Sequence, residues 1–221
     1  MKNINLKYFL FLILGMSAGI FYLLIIVQSI DALDFISTVK LIPKVVTFDL
    51  LIVGFFSTFL WKLKIFRGWL VPFSNMNGTW KGHIRTTWID LETNKRPAPI
   101  PAILTVNQSF FNISCVMRTS EMTSRSIVSD FVLDKDNQMN RLIYSYDSNP
   151  IQIVKERSPQ HYGTMALDLI EKPGRRIVGE YWTGRKTTGQ IEMSYWKKEK
   201  MDCFPDGIGK HPVSEIRKHK S

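Results

Sequence analysis

The stretch NGTWKGHIRTTW, residues 77–88, decides the fold of this chain. Trp80, Gly82, Ile84, Thr86 and Trp88 alternate with polar residues, which is the two-residue period of a strand with one inward face. Before this stretch the apolar runs have the length of membrane helices. After it, the period predicts strands.

Seven further strand-like runs follow, at residues 103–110, 111–119, 125–133, 141–146, 162–170, 177–185 and 191–197. The intervening residues are typical of loops and turns: the Pro-rich piece 97–101, Asn107-Gln108-Ser109, Lys135-Asp136-Asn137, residues 147–150, Pro173-Gly174 and Thr188-Gly189. Eight meandering strands with short turns predict an eight-stranded antiparallel up-and-down β-barrel. Such a barrel can hold side chains or one small ligand. A β-sandwich of similar size is the alternative.

Two apolar stretches precede the strands, at residues 8–30 and 45–61, the second interrupted only by Asp49. Their lengths approach or exceed what a helix needs to cross a bilayer, and they predict a two-helix transmembrane hairpin. The expected domains are the hairpin at 1–66, a linker at 67–76, the barrel at 77–198 and a basic flexible tail at 199–221. A cleaved signal peptide is an alternative for the first stretch, although its apolar run is long for one.

Basic residues on the flanks predict the orientation. Lys2 and Lys7 precede the first span, whereas Lys62, Lys64 and Arg67 follow the second. The connecting loop from Asp31 carries only Lys40 and Lys44. Because cytoplasmic flanks carry the excess of Lys and Arg, we expect a multi-pass protein of the inner membrane with both termini cytoplasmic.

Small and ionisable residues within the spans suggest how the helices pack. Gly15 and Gly19 form a GxxxG pattern, which allows close approach of the second span, near Gly54, or of another copy. Asp49 is a candidate functional residue in the membrane. It is expected in the first turn or so of its span, where it either reaches interfacial water or lines a pore.

Charge and cysteine content limit the function classes. The chain has a formal net charge of +10, and residues 71–221 hold 22 Lys or Arg against 16 Asp or Glu. A basic domain beside a membrane suits anionic lipid head groups or an anionic ligand, or is simply a solvated basic surface. Cys115 and Cys203 form no metal pattern, and we expect two reduced thiols, with Cys115 in the core.

Catalytic chemistry finds no support in the sequence. The four histidines, His83, His161, His211 and His219, do not have the spacing of metal ligands. The sequence contains no GxSxG elbow, and no pair of carboxylates stands out as an acid and base. We therefore expect no enzyme, no catalytic residue, no cofactor and no metal.

Residues Asn77-Gly78-Thr79-Trp80 resemble the GxW start of lipocalin-type barrels, in which the Trp plugs one end. Together with the preceding hairpin, the basic domain and the stretch 179–185, they resemble the two-transmembrane, β-strand-rich effectors of bacterial CBASS anti-phage systems. The resemblance implies a minimal barrel that senses a cyclic nucleotide made by a partner synthase. It also implies a membrane part that clusters and breaches the inner membrane.

A cyclic dinucleotide needs cations for two phosphates and aromatic walls for two bases. Thr86 and Trp88 share the face of Trp80 and are expected in the lumen. Tyr181, Thr183 and Arg185 share a face of the seventh strand; the opposite register would instead turn Val178, Glu180 and Trp182 inward. Further candidates of undetermined facing are Arg118, Arg125, Arg141 and Tyr144, and for each residue an exposed Arg or a core aromatic is an equal alternative.

The leading hypothesis is a membrane effector of anti-phage defence. Its cytoplasmic barrel would bind a cyclic di- or oligonucleotide, which would promote homo-oligomerisation of the helices and disruption of the membrane lipids. The synthase is a functional partner, and neither DNA nor RNA is expected to bind. The alternatives are a membrane-tethered, lipocalin-like carrier of an apolar molecule and a scaffold with a filled barrel.

Overall fold

The computed structural model describes residues 6–30, 34–90, 93–134 and 136–214. Lys2, Asp31, Lys135, His219 and the tail from residue 215 lie outside the described residues. The chain divides into a helical unit, Met1–Phe73 with Ser109–Phe111, and a β unit, Ser74–Gln108 with Asn112–Ser221.

The helical unit contains α1 (Leu6–Gln28), α2 (Phe35–Val39) and α3 (Ile42–Thr58). Of the described helices, α1 alone is long and apolar enough to cross a membrane, with 23 residues and a mean hydropathy of 2.6. The first span of the predicted hairpin is therefore confirmed as a candidate, but a second span is not shown. The apolar stretch that continues to Trp61 leaves the α-helix at Thr58, so α3 has only 17 residues.

A hydrogen bond joins the two longer helices. The Ser17 hydroxyl on α1 donates to Asp49 Oδ2 on α3 over 2.6 Å. Asp49 is the eighth residue of α3, two turns from its start, and thus deeper than the predicted first turn. The GxxxG glycines are not at this contact, because a Cβ added to Gly15 or Gly19 would meet no described atom within 4 Å.

The segment Ser109–Phe111 belongs to the helical unit although the sequence placed Phe110 and Phe111 in strands. Phe110 is fully buried, and its ring centroid lies 5.1 Å from that of Phe56 and 5.9 Å from that of Phe73. Phe110 and Phe111 are apolar because they belong to an aromatic cluster and not because they lie in a strand.

The β unit is a closed antiparallel barrel in which the eight strands follow one another in sequence order and β1 pairs with β8. This confirms the predicted up-and-down barrel and excludes the β-sandwich. The strands are β1 (Gly78–Thr86), β2 (Ile100–Gln108), β3 (Ile113–Arg118), β4 (Met122–Asp134), β5 (Met139–Pro150), β6 (His161–Ile170), β7 (Arg176–Thr183) and β8 (Thr188–Lys197).

Three predicted turns and one predicted loop differ from the observed ones. Residues 147–150 extend β5, because Asp147 and Pro150 pair with Arg125 and Met122 of a long β4. Thr188 and Gly189 start β8, and the turn lies before them. The break between β2 and β3 falls at residues 109–112, two residues later than predicted, and the Pro-rich loop ends at Ile100, where β2 begins.

Buried and exposed residues alternate along the strands, and the buried ones face the core of the barrel. On β1, Trp80 and Gly82 are buried while Lys81 and His83 are exposed, as predicted. On β7, Ile177 and Thr183 are buried whereas Val178, Glu180 and Trp182 face outward, so the preferred register is confirmed and its alternative is wrong. Cys115 is buried and free.

Trp80 closes one end of the barrel. It is fully buried, its indole Nε1 donates to the Met76 carbonyl over 3.0 Å, and its ring lies edge-on to Tyr195 at 5.2 Å. The guanidinium of Arg175 covers this end, 5.1 Å from the Trp80 ring centroid. The opposite end of β1 therefore carries the mouth of the barrel.

Residues 199–214, here called the C-terminal strap, lie against the outer face of the barrel; this is the described part of the predicted flexible tail. The Thr105 hydroxyl and Arg118 Nη1 both donate to the Met201 carbonyl, over 2.9 and 3.1 Å. Thr79 Oγ1 donates to the Glu199 carbonyl over 2.5 Å. The strap contains one short 3-10 turn, Asp206–Ile208, and residues 212–214 at its end are helical.

Candidate functional site

The mouth of the barrel contains a cavity of about 320 Å³. It lies at the end of β1 that is remote from the Trp80 plug, between the ends of β1, β5, β6 and β7. Thioether side chains of Met117, Met122 and Met165 form part of its wall. Pockets for small molecules are concave and mostly apolar, with a few placed polar groups, and this cavity has that composition.

Two tyrosines line the cavity, and the ring of each lies over a glycine on the neighbouring strand. The ring of Tyr181 on β7 lies over Gly189, its partner on β8, where an added Cβ would collide with it. The ring of Tyr146 on β5 lies in the same way over Gly163 on β6. Each glycine leaves the space for a flat ring against the wall, and this arrangement keeps the centre of the mouth open.

Trp88 completes the aromatic lining just beyond the end of β1. Its backbone N–H donates to Thr86 Oγ1 over 3.1 Å, which fixes the chain as it leaves the strand. Thr86 also hydrogen-bonds with the Tyr181 phenol. Three aromatic side chains therefore surround the cavity, and the pKa values of both tyrosines are raised because burial disfavours their charged forms.

Arg185 supplies a cation at the rim, in the turn between β7 and β8. Its contacts are long: Nη1 lies 3.2 Å from Ser158 Oγ and Nη2 lies 3.4 Å from His161 Nε2. Among the described residues, no carboxylate pairs with it. Partial burial lowers the pKa of Arg185 while Tyr146 and Tyr181 act in the opposite direction. The guanidinium remains charged, since its ordinary pKa is far above neutrality.

His161 is neutral beside this arginine. Its Nδ1 lies 3.0 Å from the Pro159 carbonyl, which identifies Nδ1 as the donor and leaves Nε2 to accept from Arg185. Burial, opposed by the Pro159 carbonyl and reinforced by the Arg185 charge, lowers the pKa of His161. The histidine thus positions the guanidinium without adding a second charge.

A buried carboxylate lies in the opposite wall. Glu121, in the turn between β3 and β4, has a side chain that is 8% exposed, and its Oε2 lies 2.6 Å from Arg157 Nη2. The strap contributes to the same network: Ser214 Oγ donates to Glu121 Oε1, and His211 Nδ1 lies 3.5 Å from Oε2. Arg157 is therefore the second cation of the mouth, and it is already paired.

The structure brings five of the predicted site residues to this cavity: Thr86, Trp88, Tyr181, Thr183 and Arg185. Tyr144 faces the lumen but lies deeper, fully buried, with its hydroxyl 2.8 Å from Met165 Sδ. Burial raises its pKa well above the ordinary value.

The other arginine candidates do not reach the cavity. Arg118 faces outward on β3 and contacts the strap. Arg141 faces outward on β5 and forms two hydrogen bonds of 2.7 Å with Asp168. Arg125 is exposed on β4. Each lies on the outward parity of its strand, and the inward positions beside them belong to Met117, Ser124 and Leu142.

Sequence reasoning missed five ionisable residues of the mouth: Glu121, Tyr146, Arg157, His161 and His211. Tyr146 lies two residues after Tyr144 on β5, so the period of a strand predicts that both face the lumen. The two histidines were considered only as metal ligands, and the described residues hold no group of three or more His, Cys, Asp or Glu suited to a metal. Glu121 and Arg157 lie in loops, where no periodicity marks their direction.

A larger depression of about 670 Å³ lies on the outer face of the strands around β8. Its two arginines face carboxylates, since Arg141 pairs with Asp168 and Arg85 lies 4.0 Å from Glu192, and Lys81 lies over the Trp196 ring. Its lining carries three carboxylates, Asp168, Glu180 and Glu192, which disfavour an anionic ligand, whereas the mouth carries one. The mouth is the better candidate site.

The closed barrel with an aromatic, cationic mouth defines a class of protein, a β-barrel receptor for a small anionic ligand. The family described as "Cap15, cyclic dinucleotide receptor domain" matches residues 71–195, more than half of the chain. The chain therefore belongs to the Cap15 cyclic dinucleotide receptor family. This membership confirms the resemblance to CBASS effectors and identifies a receptor for a cyclic nucleotide.

One relative supports the assignment over most of the chain. It is described as "CD-NTase-associated protein 15" of Staphylococcus schleiferi and is 28% identical over 185 residues. The similarity covers 84% of this chain and 94% of that protein, so it includes sequence on the N-terminal side of the barrel as well.

Proposed function

We propose that the cavity at the barrel mouth is the cyclic dinucleotide site of this effector. The observation that carries the proposal is Arg185, a cation held between Tyr146, Tyr181 and His161 without a described carboxylate partner. A guanidinium is suited to a phosphate, because it donates two parallel hydrogen bonds. Arg157 would meet the second phosphate once it is released from Glu121.

The aromatic rings would receive the bases. Tyr146 and Tyr181 lie flat against the wall over their glycines, and Trp88 stands at the rim. Base stacking on such rings contributes roughly 1–3 kcal/mol per base. A long apolar ligand, as the carrier hypothesis requires, would leave Arg185 without a partner in a partly enclosed site. The mouth therefore favours a charged, flat ligand and a receptor that performs no turnover.

The direct test compares two arginines of β7 and the turn that follows it. Full-length protein in detergent is titrated calorimetrically with a panel of cyclic dinucleotides. Arg185→Gln should lower the affinity for the best ligand by about 10-fold or more, the worth of one charge-assisted contact. Arg176→Gln is the matched control, since Arg176 begins the same strand and is exposed. Equal losses in both variants, or none in either, would overturn the proposed site.

For the membrane half, we propose that α1 and α3 form a hairpin in the inner membrane with both termini cytoplasmic. Supporting this, the charged residues of α3 are only Lys44, near its start, and Asp49, of which one carboxylate oxygen accepts a hydrogen bond from Ser17. Its 17 residues are at the short end for a span. Reporter fusions after residue 34 and after Ser221 test this: only the first should report from outside the cytoplasm.

We propose further that ligand binding favours an assembled state in which the helices perturb the bilayer. The face of Gly15 and Gly19 has no described neighbour within 4 Å, which leaves it available to another copy. A ligand can drive this change only if it binds the assembled state more tightly. The messenger would come from a cyclic-nucleotide synthase, a functional partner that need not touch this protein. Nucleotide-dependent dye release from vesicles that contain the protein is the corresponding measurement.

A further inference from the structure

The strap covers the barrel from its closed end to its mouth. The outward-facing residues of β2, Ile103 and Thr105, are only 0% and 8% exposed, although the outer face of such a strand ordinarily meets solvent. The strap crosses this strand, and its Met201 carbonyl accepts a hydrogen bond from the Thr105 hydroxyl. Further along, Gly209 lies beside the Pro101 ring at the start of β2.

The far end of the strap forms part of the mouth itself. His211 lines the cavity, and Val213, at 1% exposure, is the one buried residue of the strap. Ser214 accepts a hydrogen bond of 3.0 Å from Arg157 and donates one to Glu121. The last described residues of the chain are thus tied to the two charged groups in the cavity wall.

Glu121 makes this docked arrangement unfavourable for an anion. Its buried carboxylate lies in the wall of the cavity and occupies Arg157 at 2.6 Å. A phosphate in the mouth would be repelled by the carboxylate and would compete with it for the guanidinium. If the phosphate took Arg157, Glu121 would be a buried charge without its cation, which is strongly unfavourable.

The small volume of the cavity also makes the docked arrangement unfavourable for a cyclic dinucleotide. A cavity of about 320 Å³ is at the small end of ligand pockets, whereas a cyclic dinucleotide carries two bases, two sugars and two phosphates. Withdrawal of His211, which lines the cavity, would enlarge the cavity on the strap side. It would also open Glu121 to water, where its charge is screened.

We propose that residues 206–214 of the strap are an autoinhibitory segment that holds the mouth in a low-affinity state and that an anionic ligand displaces. This inference rests on the proposed function, because it concerns the regulation of the same site. Arg157 cannot hold the docked strap, through Ser214 and Glu121, and at the same time bind a phosphate of the ligand. The apparent affinity is therefore reduced by the fraction of molecules in which the strap is docked.

Two truncations of the otherwise complete chain isolate the segment. Ending the chain at Pro205 removes residues 206–221 but keeps the contacts of Glu199 and Met201 with Thr79 and Thr105. Ending it at Ser214 is the matched control, which keeps the network around Glu121. In calorimetric titration with the best cyclic dinucleotide, the chain ending at Pro205 should bind about 10-fold more tightly, as for an open state populated to about a tenth. The chain ending at Ser214 should bind as the parent does.

A second measurement follows the strap directly. Lys210 is exposed, and a fluorescent label on Lys210→Cys in a Cys203→Ser background reports its mobility, since the remaining Cys115 is buried. Saturating ligand should lower the anisotropy of the label. Glu121→Gln should lower it without ligand, because Ser214 and Arg157 lose the charge that holds them, and the fold of the barrel is checked by its near-ultraviolet circular dichroism.

The outcomes separate this inference from the proposed function. Binding of equal strength in the parent and both truncations, with unchanged anisotropy, would overturn the autoinhibitory strap and leave the proposed site standing. Weaker binding after truncation at Pro205 would identify the strap as a closing lid and also overturn the inference. If neither the parent nor the chain ending at Pro205 binds any cyclic dinucleotide, the proposed function fails and the inference fails with it.

Discussion

Tyr181 on β7 reaches Thr86 on β1 across Gly189 on the strand between them. Gly189 is the register partner of both residues, and its missing side chain allows the ring to lie flat and the phenol to hydrogen-bond with the Thr86 hydroxyl. Tyr146, Gly163 and Thr183 repeat this row on β5, β6 and β7. The open mouth is the consequence of two Tyr–Gly–Thr rows.

Gly189→Ala should damage both stability and binding. The added methyl would collide with the Arg85 carbonyl and the Tyr181 ring, so the strand or the ring must move. Such overpacking lowers the free energy of unfolding by about 1–3 kcal/mol. Thermal unfolding and calorimetric titration measure the two effects. Gly184→Ala, at a position with only one ordinary contact, should leave both unchanged; equal behaviour of the two variants would contradict the argument.

The Arg157–Glu121 pair should be strongly coupled. Arg157→Gln leaves a carboxylate of 8% side-chain exposure without its cation, and the free energy of unfolding should fall by about 3–5 kcal/mol. The double variant Arg157→Gln with Glu121→Gln should recover much of that loss, because no buried charge remains. Chemical denaturation of the four proteins gives the coupling energy. Additive single losses would show that the pair is not desolvated in solution.

Stability should decrease in mild acid. Burial lowers the pKa values of His161 and His211 below the ordinary 6.5, with the Glu121 carboxylate opposing the effect at His211 and Arg157 reinforcing it. The unfolded chain then binds more protons than the folded chain in the pH range below about 6.5. The free energy of unfolding therefore falls as the pH drops through this range, until both folded-state pKa values have been passed.

A pair of histidine variants checks the source of that pH dependence. His161→Gln combined with His211→Gln should flatten the stability profile between pH 7 and pH 5 in denaturant titrations. His83→Gln, on the exposed face of β1, should leave the profile of the parent intact. A profile that is equally steep in all three proteins would assign the acid sensitivity to carboxylates instead.

Gly15→Leu with Gly19→Leu should separate folding from assembly. Neither glycine has a described neighbour within 4 Å of an added Cβ, so the isolated protein should keep its fold and its ligand affinity. Ligand-dependent crosslinking and dye release should fall, since larger side chains prevent close approach of helices. Leu10→Phe, exposed on the opposite side of α1, is the control and should assemble normally. Loss in Leu10→Phe alone would move the interface away from the glycines.

Much of the fold follows from local patterns. The alternation of Trp80 to Trp88 predicted the inward face of β1, and the face of β7 that carries Val178, Glu180 and Trp182 is outward as preferred. The errors have physical causes. Phe110 and Phe111 look like strand residues because burial against helices and burial in a barrel select the same side chains. Thr188-Gly189 looks like a turn because a glycine that makes room for a ring is indistinguishable from one that bends the chain.

The sequence by itself determined the number of strands, their closure and the presence of an apolar N-terminal helix, since these depend on hydrophobic period and run length within each segment. The tertiary structure alone decided which charges meet. Arg118 and Arg185 are equally basic in the sequence, yet one faces outward against the strap and the other lies at the mouth beside His161. Glu121, Arg157 and Ser214 become one network only because the closed barrel brings two loops and the end of the strap together. Contacts between residues so distant in the chain leave no local period, and the fold must be complete before they exist.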